Sequence, residues 1–365
     1  MKIGILTFHT ALNFGAVLQT YALYKILRDK GENVKIINYK STFNEKRFAP
    51  KSLRYFLNPR TLYGIIFRNG FEFRNKLVFE NFLNKNLELT SPIYDRKDLA
   101  KINDDFDIFI AGSDQVWNLA CTEGDDSYYL PFVLDSTKRN SYAASIGYTS
   151  IPSSQESIYT KLMSGFNHIS VREKSGVEIV RKLTGKEAEL VLDPTLLLSK
   201  KQWEEIADYS KVPVNEKYLL LYLMAEDKVL IKKAKDYAKK NKLKILYINQ
   251  RLFKLSRAKN LRNVSPKEWL GLFLKADTIF TNSFHGLVFS VNFNKNFFTR
   301  YIPRSIANSR LETVLDELNL HNRRISSNVY CEERLDNFEH VEDTLQQLKN
   351  KSLLFINKIL DDTNE

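Results

Sequence analysis

The stretch Ala276-Asp277-Thr278-Ile279-Phe280-Thr281-Asn282-Ser283-Phe284-His285-Gly286-Leu287-Val288-Phe289-Ser290-Val291 decides how the chain is read. Ala276 to Phe280 is a short β-leaning run, and Leu287 to Val291 continues as a buried helix. A strand that turns into a helix presents backbone N–H groups and short polar side chains at the helix N-terminus, where an anion can be held. His285 stands in that turn and can give or take a proton near neutral pH. Read alone, Ser-x-His-Gly is more often a satisfied core histidine beside a tight-turn glycine. The surrounding pattern has to decide between the two.

Working outward, strand and helix alternate along the chain. Lys2 to Thr7 reads as a buried strand. Asn13-Phe14-Gly15-Ala16 opens a helix running to about Lys30, with Gly31 placed to end it. Val34 to Tyr39 is a second strand, and this strand–helix–strand unit argues for a parallel sheet. Phe106 to Ala111, Arg139 to Gly147, His168 to Arg172 and Glu189 to Pro194 return to that sheet. A second alternation starts near Lys217, with strands at Tyr218–Met224, Lys244–Ile248 and Asp277–Phe280. Val229–Asn241 is an amphipathic helix between them, and another begins at Ser265, an N-cap with Pro266 at the first helical position. The tail from Val341 to Leu360 is helical. The fold expected is α/β, with two Rossmann-like domains facing a cleft, residues 1–198 and 199–365. Ligands usually bind in such a cleft.

A chain of 365 residues exceeds the size at which a single core stops growing, consistent with two domains. The two cysteines, Cys121 and Cys331, are too far apart in sequence to suggest a disulfide framework or metal-ligand spacing, so a reducing, cytoplasmic setting is expected. The N-terminal apolar run is too short for a signal peptide, and no stretch reaches the 18 apolar residues of a spanning helix.

The net charge is +12, and the segment Lys40–Lys76 carries +7 of it. Nine basic residues (Lys40, Lys46, Arg47, Lys51, Arg54, Arg60, Arg68, Arg74 and Lys76) face only Glu45 and Glu72, and eight aromatics are interleaved. This basic, largely helical insertion, about 40–100, suits either an anionic membrane surface or a solvated helix with its aromatics packed inward. No zinc finger, helix-turn-helix or RNP-type motif points to nucleic acid.

Three further polar loops fall where strands end. Asn13-Phe14-Gly15 lies at a helix N-terminus, where glycine lets an anion approach the backbone. It is not a Gly-x-Gly-x-x-Gly dinucleotide fingerprint. Ser113-Asp114-Gln115 puts a carboxylate at the sheet edge, or else Asp114 is a routine N-cap. Arg172 in Ser170-Val171-Arg172-Glu173 offers a guanidinium fork for a carboxylate or phosphate, or else belongs to a surface Arg172–Glu173 neighbourhood.

Together these pieces resemble the polysaccharide pyruvyltransferase family over most of the chain. The resemblance is carried by Asn13-Phe14-Gly15-Ala16-Val17-Leu18-Gln19, Ala111-Gly112-Ser113-Asp114-Gln115-Val116-Trp117-Asn118 and Ser141-Tyr142-Ala143-Ala144-Ser145-Ile146-Gly147. It continues through Ser170-Val171-Arg172-Glu173, Leu192-Asp193-Pro194-Thr195 and Asn282-Ser283-Phe284-His285-Gly286. It implies a GT-B-like fold and transfer of pyruvate, as a ketal, from phosphoenolpyruvate to two hydroxyls of a surface-polysaccharide precursor. Phosphoenolpyruvate is then a co-substrate, and neither cofactor nor metal is expected. The acceptor sugar is often lipid-linked, which would place the enzyme at the inner face of the membrane.

The resemblance also implies roles. His285 is the catalytic acid or base near the donor, and Asp114 is an acidic residue of the active cleft. Arg172 binds the donor, with Ser283, Asn282, Gly286 and Arg310 beside it. Asn13, Gly15, Ser113 and Gln115 are expected to bind the acceptor or an anion. Ser283 and Asn282 depart from the family pattern, where arginine and aspartate occur, so a second cation such as Arg310 must help hold the donor. Two other classes share such an architecture: a glycosyltransferase using a nucleotide sugar, and a non-catalytic assembly protein at a membrane surface.

Overall fold

The computed structural model describes the chain except residues 42–58, 250–254, 304, 306–307, 327–331 and 363–365; over 59–72 it describes the backbone but not the side chains. Most of the basic stretch, including Arg54, Arg60 and Arg68, therefore lies outside the described residues or side chains.

The chain opens with β1 (Lys2–Leu6), α1 (Phe14–Asp29), β2 (Asn33–Ile36) and the long helix α2 (Pro59–Asn86). Then come β3 (Ile108–Ala111), β4 (Arg139–Ser141), α3 (Ser153–Met163), β5 (Ser170–Val171), α4 (Lys174–Thr184) and β6 (Glu189–Leu190). The single turn α5 (Pro194–Leu197) and α6 (Lys200–Ile206) lead into the second half. That half holds β7 (Tyr218–Tyr222), α7 (Lys228–Lys240), β8 (Lys244–Ile248), β9 (Lys259–Leu261), α8 (Pro266–Lys275), β10 (Thr278–Thr281), α9 (Phe284–Asn292), β11 (Asn296–Thr299), α10 (Asn308–Glu317) and α11 (Glu339–Asp361).

The first sheet has the order β2-β1-β3-β4, and every pair in it is parallel. Parallel bridges from Asn140 to His168 and from Ala144 to Val171 extend it toward the β5-β6 pair. The second sheet runs β9-β8-β7-β10-β11, again all parallel. Both are doubly wound, and each reverses its direction of winding once: between β1 and β3, and between β7 and β10. Ligands of such sheets sit outside the carboxyl ends of the strands at these reversals. The loops that leave those four ends are Thr7–Asn13, Gly112–Asp114, Leu223–Glu226 and Asn282–Ser283.

Local chemistry explains the elements. The Asn13 side chain caps α1 by accepting from the N–H groups of Gly15 and Ala16, and Gly31 follows the helix at φ +89. Ser265 and Glu268 form a reciprocal capping box with Pro266 at the first position of α8. β1, β3, β7, β10 and β11 are almost wholly buried, as expected of strands covered on both faces.

The halves share one apolar core. Phe14 on α1 stacks on Trp269 of α8 at 5.7 Å, and Tyr21 meets Trp203 of α6 at 5.8 Å. The helix α11 returns to the first half: Ser352 Oγ accepts from the Leu192 N–H at 2.9 Å, and His168 Nε2 lies 2.8 Å from the Asp362 carboxylate. The strand expected over Val34–Tyr39 is shorter, because past Ile36 the chain makes only an isolated bridge from Tyr39 to Ile93. No helix among the described residues is long and apolar enough to cross a membrane.

Candidate functional site

His285 owes its position to a tight strand-to-helix turn. Ser283 caps α9 by accepting from the Gly286 N–H at 3.3 Å, and its own N–H donates to Thr281 Oγ1 at 3.1 Å. A Cβ on Gly286 would collide with Thr281 Oγ1, so only glycine lets the helix start this close to its strand. Asn282 ties the sheet reversal together: its carboxamide accepts from the Met224 N–H and donates to the Ala225 carbonyl, both at 2.8 Å. Asn282, Ser283 and Gly286 thus build the turn, and the polar groups of the first two are turned onto the chain itself.

The turn sends the imidazole against the opening of α1. A Cβ built on Gly15 would fall inside the His285 ring. Asn13, expected to help bind an anion there, instead satisfies the first N–H groups of the helix with its own side chain. Phe284 meets the imidazole edge-on at 5.0 Å. His285 Nε2 lies 3.6 Å from Asp193 Oδ2, an ion-pair contact too long for a hydrogen bond, which leaves this buried nitrogen without a hydrogen-bond partner. We expect Gly15→Ala to displace the ring and lower turnover by about 100-fold, the same order as losing an acid–base group. Unaltered turnover in a folded Gly15→Ala protein would show that the contact does not set the ring.

Asp193 is the hub, and its two carboxylate oxygens divide the work. Oδ1 caps α5, accepting from the N–H and hydroxyl of Thr195 at 3.1 and 2.6 Å. Oδ2 accepts from Arg172 Nη1 at 2.6 Å and Ser113 Oγ at 3.0 Å. Arg172 Nη2 reaches Asp114 Oδ1 at 3.2 Å, and its guanidinium lies 4.8 Å from the Phe284 ring centre. With its side chain 1% exposed, Arg172 is committed inside the protein rather than presented as an open fork. Burial works against its charge, but Asp193, Asp114 and Glu173 raise its pKa above the ordinary value.

Asp114 does not cap a helix. It sits at φ +81, a conformation that costs a non-glycine residue about 1–3 kcal/mol and that persists only where surroundings enforce it. Its Oδ1 accepts from the Gln115 N–H at 2.8 Å and lies 3.9 Å from Arg310 Nη1. Burial pushes the Asp114 carboxyl up, but Arg172, His285 and Arg310 outweigh it and hold the group below its ordinary value. Asp193 is lowered likewise, against burial, by the His285 ring and the Arg172 guanidinium. Arg310, on α10, also lies over Phe284 at 5.4 Å. Burial first, and then the neighbouring Arg172 charge, push its pKa down to about 10.

The surface neighbourhood considered for Arg172 and Glu173 does not exist, because both are buried. Glu173 Oε1 accepts from Ser145 Oγ and from the N–H groups of Ile146 and Gly147 at 2.8 to 3.0 Å. It thereby holds the turn against which Gln115 rests: a Cβ on Gly147 would collide with the Gln115 carboxamide.

His285, Asp114, Arg172, Arg310, Ser113 and Gly15 come together at the strand ends, while Asn13, Asn282 and Ser283 serve the scaffold. Sequence reasoning assigned no role to Asp193, Glu173 or Phe284. Asp193-Pro194 carries the signature of a helix cap, which accounts for only one of its oxygens.

The sequence profile of the polysaccharide pyruvyl transferase family matches residues 13–301. No curated protein matches the chain. Among solved structures, the chain is similar to UDP-N-acetylglucosamine 2-epimerase from Rickettsia bellii, at 11% identity and a TM-score of 0.50, covering 99% of this chain and 95% of that one. It is also similar to UDP-GlcNAc 2-epimerase from Neisseria meningitidis bound to UDP-GlcNAc (11% identity, TM-score 0.49, 98% and 94% covered). The glycosyltransferase SnogD from Streptomyces nogalater is another such structure (9% identity, TM-score 0.43, 99% of both chains). At 11% identity the likeness to the first of these concerns the fold alone, a mixed α/β architecture with parallel sheets of the GT-B kind. The family profile, by contrast, spans Gly15, Asp114, Arg172, Asp193 and His285, with Arg310 beyond its end, and by it the chain belongs to the polysaccharide pyruvyl transferase family.

Proposed function

We propose that the protein transfers the pyruvate skeleton of phosphoenolpyruvate, as a ketal, onto a hydroxyl pair of a polysaccharide precursor. The observation that carries this reading is the gathering of His285, Arg172, Arg310 and the ionised Asp114 into one buried cluster where both sheets reverse. Phosphoenolpyruvate brings a carboxylate and a phosphate, and Arg310, its side chain 10% exposed against 1% for Arg172, is the better placed cation to meet them. Arg172 supplies further positive charge from beneath while fixing Asp114.

In this reading His285 protonates the methylene carbon, and the resulting oxocarbenium-like centre is attacked by one hydroxyl and then the other as phosphate departs. Of the two hydroxyl protons, one ends on the new methyl group through His285 and the other on the released phosphate. Asp114, held ionised, accepts a hydroxyl proton during attack. Each such group contributes roughly 100- to 10,000-fold.

Calorimetric titration tests the donor: phosphoenolpyruvate should bind, and UDP and GDP should bind more weakly. The opposite order would favour a nucleotide-sugar glycosyltransferase, whose architecture is the same. We further propose that the acceptor is lipid-linked and that the basic stretch 40–76 meets an anionic membrane, where each well-placed cation contributes about 1 kcal/mol. Charge reversal at Arg54, Arg60 and Arg68 should abolish co-sedimentation with anionic liposomes. Wild-type protein that ignores such liposomes at low salt would refute the contact.

A further inference from the structure

A cavity of about 270 Å³ lies at the carboxyl ends of β1 and β2, beneath α2, outside the cluster just described. Among the described residues its wall includes His9, Asn38, Lys40, Lys76, Phe79 and Glu80. We infer that this cavity is the seat of the acceptor saccharide, an uncharged polyhydroxyl ring, an inference that rests on the ketal-transfer reading and extends it.

The lining chemistry selects the class. A lipid tail would want apolar walls throughout, and a phosphate would want cations alone. Here Lys76 is paired with Glu80 at 3.7 Å, and both remain exposed at 47% and 42%, so donors and an acceptor stand side by side. Lys40 lies 5.7 Å from the Tyr94 ring, which leaves its ammonium protons directed by a weak partner. A nucleobase would want an open aromatic face to stack on, but Phe79 is only 2% exposed and is engaged with Phe14 at 5.1 Å. Alternating donors and acceptors over a partly apolar floor fit a sugar ring.

The buried His9 fixes the Asn38 side chain at the cavity wall. Its Nδ1 lies 3.2 Å from the Thr7 carbonyl and its Nε2 3.2 Å from Asn38 Oδ1. Burial pushes its pKa down, so the ring is neutral near pH 7 and donates only once. Asn38 Oδ1 is the atom that faces Nε2, so the Asn38 amide NH₂ is left to donate to a ligand hydroxyl. The same loop links the cavity to the reaction centre. Thr7 Oγ1 donates to the Ser113 carbonyl at 2.7 Å, and Ser113 Oγ donates to Asp193. Phe79 touches Phe14, the neighbour of Gly15 on which His285 rests.

The test measures saccharide binding without donor, by saturation-transfer NMR with the methyl glycosides of galactose, mannose and N-acetylmannosamine as probes. At least one should bind the wild-type chain. Lys76→Ala and Glu80→Ala, both at an exposed pair, should each weaken it about tenfold or more, the loss of a charge-assisted hydrogen bond. Asn84→Trp, a replacement at the exposed rim, should block it by filling the cavity. Phosphoenolpyruvate affinity, measured in parallel, should be the same in all variants. Saccharide binding that is absent, or equal in wild type and variants, overturns the assignment. Failure of phosphoenolpyruvate to bind would instead overturn the ketal-transfer reading, and the two results are read separately.

Discussion

His285→Ala should leave the protein folded and phosphoenolpyruvate bound, yet lower turnover at least about 100-fold, the lower end of what a positioned acid contributes. The expectation rests on three features of the ring. It is buried between α9 and α1, its Nε2 lacks a hydrogen-bond partner, and a lowered carboxylate stands 3.6 Å away. His285→Gln keeps polarity and much of the volume but cannot shuttle a proton, so it should be as inactive as the alanine variant. A folded, active variant would move the acid role elsewhere. The readouts are steady-state phosphate release, calorimetry with phosphoenolpyruvate and circular dichroism.

Asp193→Asn should give the largest loss of stability. The amide keeps the shape of the side chain but removes the charge opposite Arg172 Nη1, leaving a buried guanidinium only partly neutralised by Asp114. Breaking a buried pair in this way costs about 3–5 kcal/mol. The measurement is the urea midpoint at pH 7; a midpoint equal to wild type would show that Asp114 alone neutralises Arg172. The pH dependence gives a second check. The folded Asp193 carboxyl titrates below its unfolded value, so the unfolded chain binds more protons and stability rises with pH across that interval. The contribution is complete above the ordinary carboxylate range and disappears as pH falls through the lowered folded value. Asp193→Asn should therefore flatten the acid limb of the stability curve.

Much of this was legible in the residues. Buried strands announce themselves as short apolar runs, and β1, β7, β8 and β10 fall within a residue or two of where those runs stand. Helix starts were equally plain, because Asn13 and Ser265 cap by local chemistry that needs no tertiary partner. β9 and β11 passed unread: Lys259-Asn260-Leu261 and Asn296-Phe297-Phe298-Thr299 are too short to show a period. The site was half legible. Each polar loop could be placed at a strand end, but which side chains meet is decided by how two sheets pack. Arg172 therefore read as an open fork when it is locked between two carboxylates. Asp193 carried no role in the sequence, yet one of its oxygens caps α5 and the other holds the cluster. Gly15 read as a place for an anion when the missing side chain makes room for the His285 ring.

The most direct test of ketal transfer follows the carbon. With phosphoenolpyruvate labelled by ¹³C at the enol carbon and the glycosides above as acceptors, the label should move to a quaternary ketal carbon bonded to two sugar oxygens. One phosphate should be released for each ketal formed, and His285→Ala should do neither. Label that stays in phosphoenolpyruvate, or that appears as free pyruvate with the saccharides unchanged, would contradict the account.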